Sequence, residues 1–356
     1  MTLGSVILGL LILLVVAIDV LVTTLTVGGG GGPLTSRVSK GLWEVALRIH
    51  RQRSSHRLLL VTSWIIVTQT ALLWFGLTWV GWVLLFSATE SAVVKATTQQ
   101  PAGIVERIYF VGYTLSTLGL GDYQPQGVVW QIATAVAAAN GFFLVTLAIA
   151  YLLPVVSAAT QKRQLAVYIS SLGGTAEDIL IRAWNGKDFG QFDQHLINLT
   201  SQITLQGESH LAYPILHYFH GIERSRVMVQ SFVVLDEALT LLQYGVKEPH
   251  QLDPAAVGPL RRSNAAFIKT IRSAYIEAAS ENPPLPSLEP LRKEGIPTVS
   301  DQEFFAATKH LTLRRRLLLA LIQNDGWTWD AVASMQTTNR ATSLDDETLI
   351  DDVVLH

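Results

Sequence analysis

Residues 117–122 read Thr-Leu-Gly-Leu-Gly-Asp. Two glycines in five residues rule out a stable helix interior, and Gly119 and Gly121 open backbone conformations closed to other residue types. In such a strand the carbonyls of Thr117, Leu118, Gly119 and Leu120 can all face one axis. Four copies around that axis would surround a dehydrated cation with oxygens that stand in for its water shell. The Thr117 hydroxyl can supply the innermost ring, and Asp122 would set a ring of carboxylates at the outer mouth.

Elements on both sides must hold that strand in place. Residues 104–116, just after Pro101 and Gly103, read as a short helix. It falls well below the ~20 residues needed to cross a bilayer. Its C-terminal end would aim the negative end of its dipole toward the space below the strand, which favours a cation there. Three stretches are long and apolar enough to span. Residues 3–27 are interrupted only by Asp19, residues 58–86 lie between Arg57 and Glu90, and residues 128–156 lie between Asp122 and Lys162. Irregular backbone at membrane depth is tolerated only where it is buried in protein or lines a cavity. A short helix and a glycine strand between two full spans therefore predict a re-entrant loop.

The run Thr117 to Asp122 resembles the potassium-channel signature, usually Thr-Val-Gly-Tyr-Gly-Asp. The longer run STLGLGDYQP, Ser116 to Pro125, is most similar to the second pore loop of two-pore-domain potassium channels. The resemblance covers about residues 57–157. It implies a minimal pore module with outer helix 58–86, pore helix 104–116, filter 117–122 and inner helix 128–156. It also implies a homotetramer, each chain joined by three identical subunits, with K+ held by the carbonyls of Thr117, Leu118, Gly119 and Leu120. Apart from those ions no cofactor is expected. Leu120 stands where the family usually has a tyrosine whose hydroxyl ties filter to pore helix, so the expected filter is potassium-selective but more labile than usual.

Gly141 lies twenty residues after Gly121. The family resemblance implies a hinge there, while close helix packing is the other reading. Pro154 should kink the helix or free a carbonyl. Ala150, Leu153 and Ser157 are candidates for a constriction. Asn140 is the strongly polar side chain in mid-span and is expected on the cavity wall.

Between the first two spans lie Arg37, Lys40, Arg48, Arg51, Arg53 and Arg57 against one acid, Glu44. Short basic loops stay cytoplasmic, so the N-terminus is expected outside and the long C-terminal part inside. Val38, Leu42, Val45 and Ile49 share one helical face. Residues 28–56 therefore read as a basic amphipathic segment on the headgroups, with anionic lipid as partner around 36–57. Trp79 and Trp82 fit an outer aromatic belt. Asp19 is expected near the inner interface or paired with Arg57. With no Lys or Arg before Arg37, residues 1–27 lack the basic start of a signal peptide and read as a retained helix.

The fold class is an all-α membrane protein with an extra N-terminal transmembrane helix and an α-helical cytoplasmic domain over residues 158–340. Its expected helices are 158–172, 175–185, 189–205, 209–220, 223–244, 254–280, 301–323 and 327–336, with a loop from Asn282 to Pro297. Residues 341–356 form an acidic tail expected to be disordered. His217 and His220 could share a helical face and bind metal, though packing is the favoured role. Arg314, Arg315 and Arg316 read as a solvated face. The net charge of −2 gives no reason to expect nucleic acid, and the absence of cysteine excludes thiol chemistry. Without a nucleophile–base pair, an enzyme is not expected. A weakly selective cation channel and a subunit of a pore-loop potassium transporter are the alternatives. No span carries the regular arginines of a voltage sensor.

Overall fold

The computed structural model describes residues 3–26, 28, 31–274 and 276–333. The acidic tail and the end of the last expected helix lie outside them. Three helices are long and apolar enough to cross a membrane: α1 (Leu3–Leu25), α3 (His56–Phe86) and α5 (Val128–Leu172). Between α1 and α3 lies α2 (Pro33–Arg53). Between α3 and α5 come β1 (Val93–Lys95), the pore helix α4 (Ile104–Leu115) and β2 (Tyr123–Pro125). The strands pair antiparallel, Val94 opposite Gln124, and close the outer loop above the pore helix. This small ladder was not expected.

Asp19 is fully buried in α1 and its partner is not Arg57. Its carboxylate accepts the backbone N–H groups of Leu34 and Thr35, at 2.6 and 3.2 Å, and the Trp74 indole N–H at 2.8 Å. The Thr35 hydroxyl donates to it as well. The first turn of α2 has no side-chain cap of its own. Asp19 caps it from a neighbouring helix, where the positive end of the helix dipole stabilises the charge.

The buried face of α2 is Thr35, Ser39, Trp43, Ala46, Leu47 and His50. Val38, Val45 and Ile49 remain exposed. Trp82 is buried and so does not face outward as a belt residue would, while the half-exposed Trp79 donates to the Ile108 carbonyl at 2.9 Å.

The inner helix does not end near 156. α5 runs unbroken for 45 residues, with Pro154 inside it, and its last turns enter the C-terminal helical domain. There α6 (Ala176–Ala183), α7 (Phe192–Ala212), α9 (Pro254–Ala274), α10 (Glu289–Lys293), α11 (Asp301–Thr308), α12 (Thr312–Asn324) and α13 (Asp330–Ala333) join α8 (Met228–Thr240). All thirteen residues of α8 are buried, so it is the axis of this domain. The expected helix 209–220 is interrupted: α7 stops at Ala212, and Pro214–Tyr218 form a 3-10 turn because Pro214 cannot continue the α-helical ladder. The expected loop 282–297 contains α10.

The arginine run 314–316 is not a solvated face. Arg314 makes a two-pronged pair with Asp236 of α8, and Arg315 pairs with Glu237 at 2.8 Å. Arg316 donates to the Ala279 carbonyl. Asp236 sits low, at about 2: burial opposes ionisation, but Arg261 and Arg314 beside it outweigh that.

Domain and membrane helices meet at one joint. Lys162 of α5 donates to the carbonyls of Leu216 and Phe219, at 3.0 and 2.9 Å. His56, the first residue of α3, contacts His220 at 3.1 Å and stacks on Trp327 at 3.9 Å. His50 meets the Gly326 carbonyl at 2.9 Å, and the Trp43 indole N–H donates to that of Asn324 at 3.2 Å. His217 instead faces Asn324 at 2.6 Å. The two histidines expected to share a helical face thus serve separate packing contacts, and among the described residues no group of three or more ligands could hold a metal ion.

Candidate ion filter

The pore helix leans on α3 and α5, and its C-terminal residues Thr114 and Leu115 are buried. Immediately afterwards the chain becomes exposed from Ser116 to Asp122. Positive φ values alternate along this stretch: Thr117 at +59°, Gly119 at +57° and Gly121 at +84°. Glycine accepts this freely. A β-branched threonine does not, and holding it there costs about 1–3 kcal/mol, a strain typical of functional backbone.

The amides show what the strain achieves. Thr117 N–H donates to the Thr114 carbonyl at 3.0 Å, and Leu118 and Gly119 N–H donate to that of Tyr113, at 2.9 and 3.5 Å. A planar trans peptide points each carbonyl opposite to the following N–H. The carbonyls of Ser116, Thr117 and Leu118 are therefore directed away from the pore helix. Leu118 and Leu120 are more than half uncovered within the chain, with 66% and 53% of their surface exposed.

Ties that the sequence motif does not contain hold the outer end. Tyr113 OH donates to the Tyr123 carbonyl at 2.5 Å, and Tyr109 OH to the Asp122 carboxylate at 3.0 Å. Tyr123 OH donates to Glu106 at 2.7 Å, whose carboxylate also accepts the Gly103 N–H that opens the pore helix. The hydroxyl missing at Leu120 is thus supplied from the pore helix itself. The spacing of Tyr109 and Tyr113, four apart on a helix, with Tyr123 just past the glycines, is the signal that could have revealed this. Arg107, buried, donates to the carbonyls of Phe86, Thr89, Glu90 and Ala102 and secures the loop leading into the pore helix.

The inner-helix candidates separate. Asn140 is half-exposed on α5, and its oxygen accepts the Trp82 indole N–H of the outer helix at 3.0 Å. Gly141 is buried, and a side chain there would run into the backbone of Leu115. It is a close-packing position beneath the filter, and α5 does not bend there out of helical form. Ala150, Leu153 and Ser157 lie bare on α5, with Pro154 half-buried among them.

A family model described as ion channel matches residues 59–158. The chain is 36% identical over 326 residues to the uncharacterized membrane protein YdjJ of Bacillus subtilis, covering 92% of this chain and 95% of that one. No solved structure matches.

Proposed function

The chain belongs to the pore-loop ion-channel family, and on that premise we propose that it forms a homotetrameric potassium-selective channel conducting passively through Thr117 to Asp122. One observation carries this reading: alternating left-handed residues at 117, 119 and 121, with the N–H groups of residues 117–119 turned onto the pore helix. That arrangement frees carbonyls for a permeating ion. Repeated about a shared axis, the oxygens of Thr117, Leu118, Gly119 and Leu120 would replace the hydration shell of K+.

The bare leucines of the filter and the exposed Phe142, Phe143, Ile149 and Leu153 of α5 support an assembly in which neighbouring subunits cover one side and a water-filled path the other. The uncovered Val38, Val45 and Ile49 beside exposed Arg37, Lys40 and Arg48 support an α2 lying against anionic headgroups on the cytoplasmic side. The N-terminus would then be outside and α6–α13 cytoplasmic. The joint at His56, His220 and Lys162 supports a cytoplasmic domain that acts on the pore.

Reversal potentials of purified protein in planar bilayers, with potassium on one side and sodium on the other, test the reading. Potassium preference is expected. Equal permeability to both ions would leave a weakly selective cation channel in its place.

A further inference from the structure

We propose that the cytoplasmic domain binds a small organic anion, carrying a phosphoryl or carboxylate group on an apolar body, in the cavity between the end of α8, the start of α9 and the start of α12. The cavity measures about 390 Å3, within the range of small-molecule sites. Arg261, Arg262 and Arg314 line it. Asp236 of α8, outside the lining, is the carboxylate that pairs with Arg261 and Arg314. Its oxygens are already engaged by Arg314, Arg261 and the Asn264 amide. Two of the guanidiniums share that one carboxylate and Arg262 adds a third, so the lining is net positive. Glu237 behind it is neutralised by Arg315.

A buried ion-pair network alone would account for Arg261 and Arg314. It does not account for Arg262, which is exposed and forms no ion pair among the described residues. Guanidinium forks are suited to two-pronged recognition of phosphate and carboxylate. The wall opposite α9 is a π-helical turn, Leu241–Gly245, a rare form that is frequent at functional sites. It sets Tyr244 and Leu242 along the cavity, and with Leu252 and Val257 they supply the apolar lining.

The position of the cavity gives the ligand a way to act, a consequence that rests on the channel reading. Arg314 stands in the first turn of α12 and Asn324 ends it. Residues 324–327 are the ones seated against Trp43, His50 and His56 of α2 and α3. A rigid helix of about 20 Å therefore links the cavity to the cytoplasmic end of the outer pore helix, and occupancy would shift the pore between closed and open.

The test uses full-length protein with pyrophosphate, citrate and adenosine monophosphate as probes, at millimolar concentration and constant ionic strength. At least one is expected to raise the thermal midpoint in a saturable way. Pyrophosphate or citrate alone would assign the group to phosphoryl or carboxylate, and adenosine monophosphate above both would assign the apolar body. Arg262→Gln should weaken binding about tenfold, the loss of a charge-assisted hydrogen bond. Gly258→Leu should abolish it without unfolding, since the atoms nearest an added Cβ are those of the Arg262 guanidinium, at 3.4 Å and beyond. No saturable shift, or a shift equal in both variants (an adventitious ion only), overturns the site. Potassium flux in proteoliposomes, half-saturating with the same probe, supports the regulatory role. Binding with unchanged flux overturns that role alone, and protein that carries no flux under any condition overturns the channel reading instead.

Discussion

Replacing Tyr113 by phenylalanine removes one atom from the buried face of the pore helix. The ring keeps its packing against Phe110 and Tyr109, at 5.4 and 5.2 Å between centroids. What is lost is the bond from its hydroxyl to the Tyr123 carbonyl, just beyond Asp122. A neutral hydrogen bond contributes about 1 kcal/mol net, and a carbonyl left without its donor raises the loss to about 2 kcal/mol. Each subunit's equilibrium between the ordered and a collapsed filter would then move about 5- to 30-fold toward collapse. Single-channel recording should show shorter openings and a reversal potential displaced toward that of sodium. The thermal midpoint should move by only a few degrees. Tyr109→Phe serves as the internal comparison. Its bond to Asp122 is exposed, so its effect should be smaller. Native selectivity and native open times in Tyr113→Phe would refute the reasoning that the pore helix supplies the tie missing at Leu120.

Gly141→Ala should lower the thermal midpoint and the yield of tetramer on size exclusion, because its methyl group meets the Leu115 backbone. Overpacking of this kind costs about 1–3 kcal/mol. A hinge without close packing would instead leave assembly intact. Asp19→Ala should destabilise the protein by about 2–3 kcal/mol, read by thermal unfolding, since it uncaps α2 and strands the Trp74 N–H. Stability should also fall with acid. Burial holds His217 at about 4 and His210 at about 3, each helped by nearby Lys162 and against an ordinary 6.5. The folded form keeps both neutral while the unfolded chain takes up protons first. The contribution is therefore fully present above pH 6.5 and is lost as pH falls toward those values. Near pH 5 the loss is about 2 kcal/mol per histidine, and thermal midpoints across that window should decline less in His217→Gln.

What could be read from the chain is what local order determines. Long apolar runs without charge mark the spans, and two glycines in five residues between a short helix and a span mark the filter. Each signal lies within a few residues of its consequence. The misread residues all answer to distant partners. Arg314 and Arg315 look like a solvated run until Asp236 and Glu237, 78 residues earlier, are folded against them. Asp19 looks like a charge stranded near an interface until the start of α2, 15 residues on, turns its amides toward it. Asn140 looks like a lone polar group in mid-span until Trp82 reaches it from the outer helix. In each case a polar group in an apolar setting announced that a partner was needed, but nothing in its own neighbourhood named that partner. Inside a membrane or a buried helix such a need is strong, because water cannot meet it. These long-range pairs therefore define how the outer helix, the inner helix and the C-terminal domain are joined. Leu118, Leu120 and the bare face of α5 present the same unmet need in apolar form, and the cover they lack within one chain is what the proposed tetramer would supply.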